Sequence, residues 1–135
     1  MTTAILYYSL SGTVKAFAEK QAAEIGADIF EMCEIKKHNG FTAFLPGCFQ
    51  SMGLKSSAVV PPPADLAAYD EIIIMGPIWA GHPAPAVNGI IELLPAGKTV
   101  SLICLSGRGG FDLTKTAALI TAKGCIVKET VCHGK

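Results

Sequence analysis

Two kinds of segment alternate along this chain, and that alternation restricts the fold more than any single residue does. Continuous apolar runs of β character occupy residues 4–8, 28–33, 71–75, 100–105 and 125–131. Helical patterns lie between most of them. From Val14, apolar residues recur at Phe17, Ala18, Ala22 and Ile25, and Gly26 supplies a C-cap. From Pro85, suited to a first helical turn, they recur at Val87, Ile90, Ile91 and Leu94, and Pro95 closes the segment. From Asp112, a candidate N-cap, they recur at Leu113, Ala117 and Ile120, with Gly124 at the end. Strands that are apolar throughout, alternating with helices, belong to a parallel sheet covered on both faces. The expected fold is therefore an α/β, three-layer, doubly wound sheet of five parallel strands, with 1–135 forming one domain.

Residues 38–63 break the pattern. They hold Phe41, Phe44, Leu45, Phe49, Met52 and Leu54 among glycines, then Val59, Val60 and three prolines. This reads as a short, poor helix followed by a rigid extended connection into the third strand. At the other end, no helical pattern follows the fifth strand. Right-handed crossovers place the first helix on one face of the sheet and the later ones on the other. With the final helix lacking, one face is expected to lie partly open, which costs about 25 cal/mol for each Å² of apolar area left uncovered. A homodimer through that uncovered face is the expected remedy.

Bulk properties exclude several classes. Eleven Lys and Arg balance eleven Asp and Glu, so the chain carries no basic footprint for nucleic acid. No apolar run reaches the roughly 20 residues of a membrane span, and the first ten residues lack a basic segment and a cleavage site for secretion. Five cysteines (Cys33, Cys48, Cys104, Cys125 and Cys132) are odd in number and show no CxxC spacing, so neither a disulfide framework nor a metal site is expected. They read as reduced thiols of a cytoplasmic protein, with Cys48 in a Gly-rich stretch the candidate for exposure.

Ligands of open α/β sheets bind outside the carboxyl ends of the strands, where the strand order reverses. Three loops fall there. Ser9, Leu10, Ser11, Gly12, Thr13 and Val14 bring hydroxyls, a glycine and a helix start, which together make either an anion cradle or an ordinary Ser/Thr-rich cap. After the third strand, residues 76–85 contain the single tryptophan, Trp79, among glycines and prolines; its indole either stacks on a planar heterocycle or covers the following helix. After the fourth strand, Ser106, Gly107, Arg108, Gly109 and Gly110 let backbone approach a ligand edge or form a flexible turn.

These residues give the chain a resemblance to the flavodoxin family, and specifically to its short-chain flavodoxin-like FMN-binding members. The resemblance rests on Tyr8-Ser9-Leu10-Ser11-Gly12-Thr13 and on the run from Tyr69 to Gly81, continued by Pro83-Ala84-Pro85-Ala86-Val87. It implies strand order 2-1-3-4-5 and an FMN cofactor. It implies phosphate contacts from Ser9, Leu10, Ser11, Gly12 and Thr13, with Val14 standing where the family has a second threonine. Ring contacts are implied for Pro77, Ile78, Trp79, Ala80 and Gly81, and an edge contact for Ser106, Gly107, Arg108, Gly109 and Gly110. The neutral charge balance departs from acidic electron-carrying members.

What the resemblance implies is a redox protein, working in electron transfer or in NAD(P)H-dependent reduction of a small acceptor such as a quinone. Its partners are then a redox protein or a small-molecule electron acceptor. No catalytic residue is assigned. Arg108 and His82, with no carboxylate in the same loops, favour a reduced flavin anion and so two-electron chemistry. A phosphorelay receiver would need acidic residues where Ser9-Leu10 and Gly76-Pro77 stand, a small phosphatase would need Cys and Arg in the first loop, and a dinucleotide fold would need G-x-G-x-x-G there. The remaining rival is a flavodoxin-like binding or assembly module with weak or no flavin binding.

Overall fold

The computed structural model describes residues 2–9, 12–32, 65–79, 82, 83, 85–105 and 113–133. Five parallel strands run β1 (Thr3–Tyr7), β2 (Asp28–Glu31), β3 (Glu71–Trp79), β4 (Thr99–Leu105) and β5 (Ile126–His133). Among the described residues three helices lie between strands: α1 (Thr13–Ile25), α2 (Pro85–Glu92) and α3 (Thr114–Ala122). The strands lie in the order β2-β1-β3-β4-β5, as expected, and a two-residue strand, His82–Pro83, folds back antiparallel onto the end of β3.

Register explains why nearly every strand residue is apolar. Ala4, Ile72 and Val100 form one row across the sheet, and Leu6, Ile74 and Leu102 form another on the same face. Those rows pack beneath α2 and α3 with Val87, Ile90, Ile91 and Ile120. The opposite face carries Ile5 beside Ile73 and Tyr7 beside Met75 and Ile103. It packs against Val14, Ala18 and Ala22 of α1, three positions four residues apart on one helical stripe. Gly26 ends α1 in the left-handed region at φ 69°, where its N–H donates to the Ala22 carbonyl.

Several boundaries differ from the sequence reading. Strand β3 was expected to stop at Met75, because Gly76-Pro77 looks like a break. Instead Gly76 and Pro77 pair with Cys104 and Leu105, and Ile78 and Trp79 pair with Pro83 and His82. Proline is tolerated where the strand leaves the sheet, since few partners there need its N–H. The N-cap of α3 is Leu113, with no side-chain cap bond, and the expected cap Asp112 lies outside the described residues. A 3-10 turn, Leu66–Ala68, was not anticipated; Asp65 begins it by accepting from the Ala67 N–H at 3.0 Å. Tyr69 then donates its hydroxyl to Asp28 at 2.7 Å, which raises the phenol pKa above its ordinary value. The expected poor helix within 38–63 lies outside the described residues.

The face expected to stand open is closed at Ile73, Met75, Ser101 and Ile103, all buried in the single chain. Among the described residues of the sheet, the large exposed apolar side chain is Ile126, at the start of edge strand β5. That strand is broken by a register shift opposite Val100 and Ser101 and carries Lys128 and Glu129, features that discourage pairing with another edge.

Gly76 sets how closely α2 approaches the sheet. A Cβ added there would collide with Val87 Cγ2, and a β-branched helical side chain has little freedom to rotate away. Gly76→Ala is expected to destabilise the protein by about 1–3 kcal/mol. Val87→Ala in the same chain should recover part of that loss, and urea unfolding of the two single variants and the double variant measures the coupling.

Candidate functional site

The strand order reverses between β1 and β3, and the chain leaves these two neighbours toward opposite faces. After β1 it enters α1 on one side, and after β3 it enters α2 on the other. A crevice at the carboxyl ends follows from that divergence. The Tyr8 N–H donates to the Met75 carbonyl at 3.0 Å, and the Met32 N–H donates to the Tyr7 carbonyl at 2.7 Å, so the backbone is held up to the crevice's lip.

Ser9 begins the first loop. Its Oγ accepts the Gly12 N–H at 3.0 Å, closing the turn into α1 while a hydroxyl keeps a proton of its own to donate. Gly12 adopts φ 88°, ψ −8°, a left-handed conformation that a side chain would strain. It occupies the N-cap position and therefore brings no capping side chain, and the first turn contains no acidic residue. The first helical hydrogen bond runs from Ala16 to Gly12; the N–H groups of Val14 and Lys15 precede it and have no intrahelical acceptor. The positive end of the helix is therefore not neutralised by a carboxylate of its own first turn.

Val14 is buried in the core beneath α1. Its side chain serves packing, which leaves its backbone N–H as the part that can face an anion. Thr13 is half-buried. Leu10 and Ser11 lie outside the described residues.

Opposite this loop stands the end of β3. Pro77 and Ile78 are half-buried, and Ile78 packs on the core beneath α2. Trp79 is the last residue of β3 and pairs with His82. It belongs to a short antiparallel ribbon, not to an irregular loop as the sequence suggested. The missed signal was a run of two residues, Ala80 and Gly81, between the paired positions, a spacing typical of tight hairpins. Ala80 and Gly81 themselves lie outside the described residues, as do Ser106, Gly107, Arg108, Gly109 and Gly110. Strand β4 delivers the chain to that last segment from Leu105, which pairs with Pro77 on one side and His133 on the other. Pairing of β1 with β3 up to Tyr8 and Met75 leaves the residues that follow, Ser9 after the one and Gly76 to Trp79 after the other, at the same carboxyl edge of the sheet.

Near that edge, Cys104 is fully buried between Gly76 and Cys132 in register. Burial, with a smaller contribution from the neighbouring Cys132, pushes its thiol up to about 12. Cys125 is also buried and donates to the Pro95 carbonyl. Among the described residues no group of three or more potential ligands could hold a metal ion, and no helix is long and apolar enough to cross a membrane.

A candidate flavoprotein of Bacteroides eggerthii superposes with a TM-score of 0.79 at 22% identity, over 99% of this chain and 89% of its own. A flavoprotein of Lactobacillus acidophilus, solved in complex with FMN, gives 0.77 at 24% identity, over 97% and 92%. Flavodoxin 1 of Bacillus cereus gives 0.57 at 13% identity, over 100% and 86%. The fold is flavodoxin-like. At these identities the likeness is one of architecture. No protein-family model matches the chain, nor does any curated protein sequence.

The raised Cys104 thiol has a consequence for stability. The folded state keeps this proton where the unfolded chain, with an ordinary thiol near 9.0, releases it. That contribution is complete below the unfolded value and is lost as pH rises toward 12, with a slope approaching about 1.4 kcal/mol per pH unit. Urea unfolding measured from about pH 9 to pH 11 should show a steeper decline for the wild type than for Cys104→Ala. Equal slopes would contradict the buried, protonated thiol.

Proposed function

We propose that the chain binds one FMN in the crevice between β1 and β3 and works as a redox protein. The observation that carries this reading is the start of α1. A carboxylate-free helix terminus meets a turn closed by Ser9 and Gly12, beside the end of β3. That arrangement suits a phosphate monoester, whose charge is stabilised by a helix terminus, hydroxyls and backbone N–H groups without a lysine or arginine in the loop. The residues present fit FMN: Ser9, Gly12, Thr13 and the Val14 backbone on the phosphate side, with Leu10 and Ser11 between them, and Pro77, Ile78 and Trp79 on the ring side, continued by Ala80 and Gly81. The Lactobacillus protein of the same fold carries FMN, which supports the same cofactor here.

Bound flavin supplies one- and two-electron chemistry, and the protein sets where and how readily it occurs. The ribbon formed by Ile78, Trp79, His82 and Pro83 walls the crevice with backbone that is already hydrogen-bonded. Arg108 and His82 are the basic residues of the ring-side segments, and neither segment contains a carboxylate. Positive charge there stabilises a reduced, anionic ring, which favours NAD(P)H-dependent reduction of a small acceptor such as a quinone over one-electron shuttling.

Titration with FMN, followed in the visible spectrum or by calorimetry, should give one flavin bound per chain. Ser9→Ala should weaken FMN about ten- to a hundredfold, the loss of one charge-assisted hydrogen bond. Riboflavin, which lacks the phosphate, should bind more weakly and be far less sensitive to that substitution. A chain that stays colourless in excess FMN would contradict the proposal and support a binding or assembly module on the same fold. In the flavin-loaded protein, Arg108→Ala should lower the midpoint potential; an unchanged potential would rule out the charge argument.

A further inference from the structure

The sheet places two of the five cysteines side by side, a juxtaposition that the linear spacing of 28 residues between Cys104 and Cys132 hides. They are direct register partners on β4 and β5. In a parallel pair such partners project to the same face, and both side chains pack into the core beneath α2 and α3. Cys104 is fully buried, whereas Cys132, on the edge strand, is only partly so. On the other flank of Cys104 stands Gly76, which has no side chain to separate or crowd the two thiols.

Spacing decides what such a pair can do. Neighbouring strands lie about 4.7–4.9 Å apart, and residues directly opposite in a parallel ladder keep their Cβ atoms near that distance. A disulfide needs Cβ atoms about 3.5–4.5 Å apart, so closing one here would pull the strands together. Two sulfurs bound to one soft atom through bonds of about 2.3 Å sit farther apart, and that wider span matches the ladder without moving backbone. With no third or fourth ligand close by among the described residues, four-coordinate zinc is a poor occupant. A centre satisfied by two thiolates from the protein is a better one.

We propose that Cys104 and Cys132 form a dithiol site for a thiophilic centre that takes two sulfur ligands, of the class of trivalent organoarsenicals. With phenylarsine oxide the reaction balances without any change of oxidation state. Two As–S bonds form, the arsenic–oxygen bond breaks, and the oxygen leaves as water with the two thiol protons. Cys132 reacts first because it is the more accessible. Cys104 closes the ring second, and a thiol that is otherwise protonated and inert becomes a ligand because its partner already holds the arsenic beside it.

The test uses the whole chain carrying Cys33→Ala and Cys48→Ala, so that the thiols outside the described residues cannot contribute. After exposure to phenylarsine oxide, intact-mass spectrometry should show one arsenical per chain. The adduct should survive excess monothiol and be released by a dithiol such as dimercaptopropanol. Removing Cys132, as Cys132→Ala or Cys132→Ser, should make release by monothiol about a hundredfold faster, with circular dichroism confirming the fold. Cys125→Ala should leave the adduct unchanged. The proposal is overturned if the resistant adduct is absent from the starting chain or persists without Cys132. It is equally overturned if mild oxidation with diamide joins Cys104 to Cys132 as readily as it oxidises an exposed dithiol, since the spacing argument would then be wrong.

Discussion

The parallel pairing of β1 with β3 is the constraint on which everything else in this molecule depends. It aligns Thr3 to Tyr7 with Glu71 to Met75 across a separation of more than sixty residues in the chain. Once that ladder forms, side chains of both strands must find cover on two faces. Val14, Ala18 and Ala22 close one face, while Val87, Ile90 and Ile91 close the other. The helices that provide this cover leave their strands in opposite directions, so the crevice is a by-product of burying two faces at once. The site follows from the core and needs no separate scaffold.

Two local devices shape the two sides of that crevice. On one side, Gly12 in the left-handed region and the Ser9 hydroxyl turn the chain abruptly into α1. On the other, Gly76 lets α2 pack tightly against β3, and β3 then continues past the sheet into the ribbon with His82 and Pro83. Both devices rest on a glycine, but for different reasons: one supplies a backbone angle and the other supplies space.

Much of this was legible in the sequence. The central strands, buried on both faces, read as unbroken apolar runs, whereas the edge strands β2 and β5 are exposed or half-buried along their length; the strict spacing of Val14, Ala18 and Ala22 announced α1. Strand order came from resemblance, since no local pattern encodes which strands become neighbours. What escaped notice shares a physical cause: tertiary pairing overrode local punctuation. Gly76-Pro77 looks like a chain break, yet β4 supplies partners that carry the strand through it. Leu113 occupies a cap position that propensity would not give it. Val14 stands where the family motif has a threonine, and its buried side chain packs in the core beneath α1. The adjacency of Cys104 and Cys132 could not be read at all before the register was known.

The central claim, that the carboxyl edge at β1 and β3 is where this protein receives FMN, is tested most directly by amide chemical-shift mapping. In a nitrogen-15 labelled sample titrated with FMN, the account predicts that the largest shifts fall on Ser9, Gly12, Thr13 and Val14 and on Ile78 and Trp79. The amides of Thr2, Ala68 and Asp70, at the opposite edge of the sheet, should stay in place. Shifts concentrated at that opposite edge, or none at saturating FMN, would contradict it.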